Sequence, residues 1–235
     1  MEDSFSIIVW WKPNSTKDDM SIISHAYDLL LCVSSFGQPF KPRYFTAKKK
    51  KDAKPYDGSL DSFIAHVQGK LRRYAGAIPD SGCTLGLFSS MSSDSSCGIQ
   101  ITFGVKSNRL VNSLVIRIPK GFSMYTEENS ILVVSLINRL IDVANPIYAA
   151  VRSTLIGMKV NALTGVNELD KSVNWINYWK QDRRQQEHMV AKIEEEVRYE
   201  IVESGIYLRL SQHPIDPENE VDVGLAVKLT ALINS

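Results

Sequence analysis

The chain has 235 residues, 44% of them hydrophobic and 23% charged, and a net charge of +1. These proportions belong to a folded globular chain that can bury a core without staples, and they exclude a disordered one. Three cysteines, Cys32, Cys83 and Cys97, are odd in number and widely spaced, which argues against a disulfide framework or a zinc site and fits a reducing compartment.

The amino terminus, MEDSFSIIVWWKP, is acidic and then briefly apolar, whereas a secretory signal has a basic start and a longer apolar run. The longest apolar runs, such as ILVVSLI at 131–137, fall short of a membrane span, so no membrane partner is expected and the protein reads as cytosolic. Charge is uneven along the chain. Residues 41–75 carry ten basic and three acidic side chains, while residues 165–235 carry eight basic and thirteen acidic. Such asymmetry bears on partners rather than on fold.

In chain order, FSIIVWWK (5–12) predicts a strand stopped by Pro13. Thr16 offers an N-cap, with Asp19 in the capping-box position, for a helix whose face holds Ile22, Ile23, Ala26, Tyr27, Leu30 and Val33. Gly37 and Pro39 end it. A lysine-rich loop follows. Ser59 then caps a shorter helix with Leu60, Phe63, Ile64, Val67 and Leu71 on one face. Three apolar stretches, 83–91, 98–105 and 110–119, predict an antiparallel meander, and Gly86 and Gly104 within it mark bulges or close packing. Thr126 caps a helix that ends before Pro146. Residues 147–153 are a strand candidate, and 154–181 predict irregular or edge elements.

Met189, Val190, Ile193 and Val197 then share a helical face, and YEIVESGIYLRL alternates around Gly205 as a hairpin. A last helix is expected from the Asp216 cap and Pro217, with Val221, Leu225, Leu229 and Leu232 buried. The sum is an α+β chain, a largely antiparallel sheet with helices packed against it. It reads as one domain over 1–235, with a two-lobed organisation left open by a break near 154–181.

Catalytic spacing is absent from the sequence. His25, His66, His188 and His213 are scattered, and no second histidine follows Glu187 and His188 at metalloprotease spacing. The Glu194–Glu196 run reads as a solvated helix side, and no glycine-rich phosphate loop is present. No metal, cofactor or enzymatic activity is therefore expected. Trp175, Tyr178 and Trp179 form an aromatic group with two readings, core filling or an exposed anchor for a protein partner. Lys48, Lys49, Lys50 and Lys51 raise the question of nucleic acid. The rest of the chain outside 41–75 is net acidic, and four adjacent lysines cannot all face one ligand. A solvated or partner-contacting loop is the leading reading, and nucleic-acid association through 41–75 the lesser one.

Several stretches in order, IIVWWKP, RYFTAKKKKDA, LGLFSSM with GIQITFGV and VNSLVIRIP, NPIYAAVRS, NWINYW and GIYLRLSQHPIDPENEV, resemble the bacterial immunity protein 52 family of polymorphic-toxin and type VI secretion systems. The matching positions are Gly104, Asn112, Pro119, Pro146, Ala149, Trp175, Tyr178, Gly205 and Asp216–Pro217. The chain departs from the family at Ser89 and Ser90, where a tryptophan is expected, and at Asn174, which replaces a glycine.

The resemblance implies a non-enzymatic protein that binds and neutralises a cognate effector toxin in the cytoplasm. The toxin it implies is a nuclease of the restriction-endonuclease type. An acidic surface would complement such a partner, and Glu218, Glu220 and Asp222 are candidate contacts, with stabilisation of the helix dipole as their alternative role. A homodimer stays open.

Overall fold

The computed structural model describes residues 3–13, 18–193, 197, 199–202 and 205–235. Among these residues it is an α+β fold of six α-helices and ten strands, with antiparallel strand pairing and helices packed on the strands. The chain divides into two compact units. One comprises Val9–Phe122 and Asn138–Asn145, the meander unit. The other comprises Met1–Ile8, Ser123–Ile137 and Pro146–Ser235, the C-terminal unit.

β1 (Phe5–Trp11) contributes to both units. α1 (Asp19–Ser35) follows. Thr16, the expected cap, lies outside the described residues. Asp18 is the cap, its carboxylate accepting the Ser21 N–H at 2.9 Å. Asp19 does not close a capping box; it accepts the Ile78 N–H at 3.2 Å, tying the helix start to a distant loop. β2 (Tyr44–Phe45) and β3 (Lys54–Pro55) flank the lysine loop, and α2 (Leu60–Leu71) is capped by Ser59 as expected.

The meander forms as β4 (Ser81–Phe88), β5 (Gly98–Val105) and β6 (Asn112–Arg117), and the order in this unit is β3-β2-β4-β5-β6. Antiparallel register decides which side chains share a face. Leu85, Leu87, Ile99, Ile101, Phe103, Leu114 and Ile116 are buried on one face. α1 packs on β5 and α2 on β4, with Phe63 and Phe103 rings 6.2 Å apart. Each such buried side chain contributes roughly 1.5–3 kcal/mol. The opposite face carries the rows Thr84–Thr102–Ser113, Gly86–Gln100–Val115 and Phe88–Gly98–Arg117. Gly104 marks close packing: its φ is +71°, and a Cβ there would sit 2.7 Å from Ile78 Cγ2.

α3 (Glu127–Ala144) and β7 (Tyr148–Ser153) match expectation. Residues 154–181 do not. They contain α4 (Thr154–Thr164), capped by Ser153, and β8 (Ile176–Lys180), which pairs with β7 on one side and with β10 (Gly205–Arg209) on the other. β8 is an interior strand, not an edge. Residues 176–179 are all buried, so the alternation that betrays a half-exposed strand is missing. The whole segment lies inside the C-terminal unit rather than at a break.

α5 (Arg183–Ile193) follows, and its buried residues are Gln186 and Ile193, where the sequence had favoured Met189 and Val190. β9 (Tyr199–Val202) then pairs with β10, giving the order β7-β8-β10-β9. Gly205 is required by close approach, since a Cβ would lie 2.2 Å from the Trp179 carbonyl oxygen.

α6 (Glu220–Ile233) starts later than expected. Asp216 and Pro217 precede it, and Asn219 is the cap, accepting from the Val221 and Asp222 N–H groups. Val221 is 79% exposed rather than buried; the covered stripe runs through Val223, Ala226, Leu229 and Thr230, and α4 packs on α6.

Several interior polar groups in this unit are paired through side chains. Asn177 Oδ1 accepts the Asn174 N–H at 3.0 Å, and its Nδ2 donates to the Asn174 carbonyl at 2.8 Å. The Val173 N–H donates to Thr230 Oγ1 at 2.9 Å, and the Tyr148 hydroxyl to the Leu169 carbonyl at 2.8 Å. Asn177→Ala removes both partners of the buried Asn174 backbone. We expect a loss of about 2–4 kcal/mol in urea unfolding, with the denaturant dependence unchanged.

Candidate functional site

The aromatic group is interior. Trp175 is 1% exposed, Tyr178 0% and Trp179 7%. Trp175 Nε1 donates to the Ser211 carbonyl at 3.0 Å and Trp179 Nε1 to the Asp170 carbonyl at 2.7 Å. The anchor reading is thus corrected: these rings sit where β8 is covered on both faces, and they fill core.

The three acidic candidates occupy the start of α6. Glu218 and Glu220 are exposed and Asp222 is half-buried. Asp222 also has a structural task, accepting the Asp216 N–H at 3.1 Å, while Asp216 accepts the Glu218 N–H at 2.9 Å. Lys159 donates to the Pro217 carbonyl and stands 3.7 Å from Glu218 Oε1, a solvent-exposed ion pair of small energetic weight.

Asp222 acts on a residue that the sequence gave no reason to choose. Tyr125, in the segment before α3, is 46% exposed and packs edge-on against Phe5 at 5.9 Å. Its phenol is pushed up to about 12, first by partial burial and then by the charges of Asp3, Asp216 and Asp222. Asp3 is held there by Ser153 Oγ–H at 2.6 Å and the Leu155 N–H at 3.1 Å, at the start of α4. Together with exposed Val221, this makes an acidic surface with an aromatic and an aliphatic side chain in it. Its members come from residues 3, 125 and 216–222, so no local pattern could have grouped them.

Charge divides with the compact units. The meander unit has 17 Lys and Arg against 9 Asp and Glu, net +8; the C-terminal unit has 10 against 17, net −7. Lys48, Lys49, Lys50 and Lys51 are exposed, and a short 3-10 turn begins at Lys50. Lys50 Nζ lies 5.3 Å from the centroid of the Phe88 ring, which stacks on Tyr44 at 5.2 Å.

Burial raises the thiols of Cys32, Cys83 and Cys97, the last to about 12, so at neutral pH they are protonated and weakly nucleophilic. His25 packs against Trp11 and His66 stacks on Phe45 with centroids 3.8 Å apart. Among the described residues, no group of three or more His, Cys, Asp or Glu could hold a metal ion, and no helix is long and apolar enough to cross a membrane. Glu194–Glu196 lie outside the described residues.

No family model and no curated protein matches the chain. Among solved structures, it is similar to the Pseudomonas aeruginosa T6SS protein PA0821, with a TM-score of 0.61 and 11% identity over 99% of this chain and 72% of that one. At that identity the likeness is one of fold.

His66 provides a test of the local electrostatics. Burial, then Lys70 and Lys54, hold its imidazole below the ordinary histidine value. The unfolded chain therefore takes up this proton more readily than the folded one. The stability involved is whole above about pH 6.5 and declines as pH falls through the lowered folded value. Thermal melts of the wild type between about pH 7 and 5.5 should show a decline that is smaller in His66→Asn.

Proposed function

We propose that the chain is an immunity-type protein associated with a type VI secretion system, which binds and neutralises a cognate secreted toxin through a tight protein–protein complex. The observation that carries this reading is the exposed Tyr125 among Asp3, Asp216 and Asp222, with Glu218 and Glu220 on the same helix start. The proposed toxin is a nuclease. A nuclease presents a basic cleft to its substrate; acidic side chains steer such a partner, and a tyrosine that is partly packed in advance serves as an anchor. The resemblance of the sequence to the immunity protein 52 family and the fold likeness to a T6SS protein support the same reading.

The complex acts in the producing cell's cytoplasm, and no chemistry by this chain is needed. The net +8 of the meander unit favours a second reading, nucleic-acid association through residues 41–75. That reading requires oligonucleotide binding that collapses between about 50 and 200 mM salt.

Co-expression with the product of the adjacent gene tests the first reading. A co-purifying complex and rescued growth are expected; neither complex nor rescue would reject it. Within the complex, Tyr125→Ala should weaken Kd by about 30-fold or more. Glu218→Lys with Glu220→Lys should slow association and flatten its salt dependence, measured by stopped-flow or surface binding.

A further inference from the structure

Among the described residues, the helices of the meander unit, α1 and α2, pack on one face of its strands. On the other face the paired rows present Thr84, Thr102, Ser113, Gln100, Val115 and Arg117, all exposed or half-exposed. No carboxylate occupies any of the three rows. Cations stand at their margins: Arg117 ends the Phe88 row, with its stem against Gly98, and Lys50 lies over Phe88. The face is hydroxyl-rich with cations at its margin, and it belongs to a unit of net charge +8.

The same chain carries a surface of the complementary kind. The charges of Asp3, Asp216 and Asp222 act on exposed Tyr125, and Glu218, Glu220 and exposed Val221 stand at the same start of α6, where Asp216 is bonded to Asp222 and to the Glu218 N–H, in a unit of net charge −7. We infer that the uncovered strand face of the meander unit docks the acidic Tyr125 surface of a second copy of this chain. Tyr125 and Val221 would lie against Val115, while Glu218 and Glu220 meet Arg117 and Lys50. The contact is heterologous, with one surface of each kind on each copy.

Nucleic acid is the weaker occupant of this face. Single strands are held by stacking on exposed rings, and the Thr84 and Gly86 rows of β4, β5 and β6 offer hydroxyls, an amide and a valine. The rings of Tyr44 and Phe88 stack on one another beside Lys50. The inference does not rest on the toxin reading. The two share the acidic surface, so a toxin bound there would compete with self-association.

Sedimentation of the purified chain alone tests it, over about 1–100 μM protein at about 50 and 500 mM salt, where the screening length changes several-fold. The mean mass should rise with concentration at low salt, and the association should weaken about tenfold or more at high salt. Lys50→Glu with Arg117→Glu makes both surfaces acidic; Glu218→Lys with Glu220→Lys makes both basic. All four side chains are exposed, and circular dichroism should confirm an unchanged fold. Each double variant alone should sediment as a monomer, and mixing the two should restore association. A wild type that stays monomeric at low salt overturns the inference, as do variants that still self-associate or a mixture that does not. Binding of a single-stranded oligonucleotide to a monomeric wild type, lost in the Lys50 and Arg117 variant, would assign the face to nucleic acid instead.

Discussion

A strand buried on both faces has no solvated side, so every hydrogen-bonding group beside it must find a partner inside the protein. β7 and β8 are under this constraint, and much of the C-terminal unit follows from it. The Asn177 side chain bonds the Asn174 backbone on both sides and accepts from its amide, Thr230 on α6 reaches the Val173 N–H, and the indoles of Trp175 and Trp179 each donate to a loop carbonyl. These bonds join the segment before β8 to α6 and to the loop after β10. They also explain why the aromatic group is interior: with both faces covered, large rings there have only core to occupy.

The meander unit obeys a looser rule. Its strands are covered on one face, where α1 and α2 bury an aliphatic layer, and the other face keeps threonine, serine and glutamine. That difference in coverage locates what each unit can offer a partner. The C-terminal unit offers the ends of its helices and the loops before them, where carboxylates gather around Tyr125. The meander unit offers a face. Charge follows the same division, net −7 against net +8, and it vanishes in the chain total of +1.

The positions that carry the family resemblance have structural tasks. Gly104 sits under Ile78, and Gly205 lies against the Trp179 carbonyl. Asn112 accepts the Val105 N–H at 3.0 Å and donates to the Lys12 carbonyl at 3.2 Å. Trp175 is core. Tyr125, Glu218 and Glu220 lie instead at the surface.

Local patterns in the sequence were enough for the elements with one covered face. β1, the meander, α2 and α3 were legible because apolar alternation or helical spacing, Ser59 and Thr126 mark where each face and end must lie. The N-caps at Asp18 and Asn219 were misplaced because several nearby polar residues could serve equally well, and only tertiary contacts, such as Asp19 with Ile78, choose among them. β8 was hidden because burial on both faces erases alternation, and α4 because exposed Met158 and Leu163 blur the narrow face that Ile156 and Val160 bury. The acidic surface was half legible: Glu218, Glu220 and Asp222 are neighbours in sequence. Tyr125 and Asp3 joined them only through folding, because residues so far apart in the chain share a site only once packing has brought their elements together.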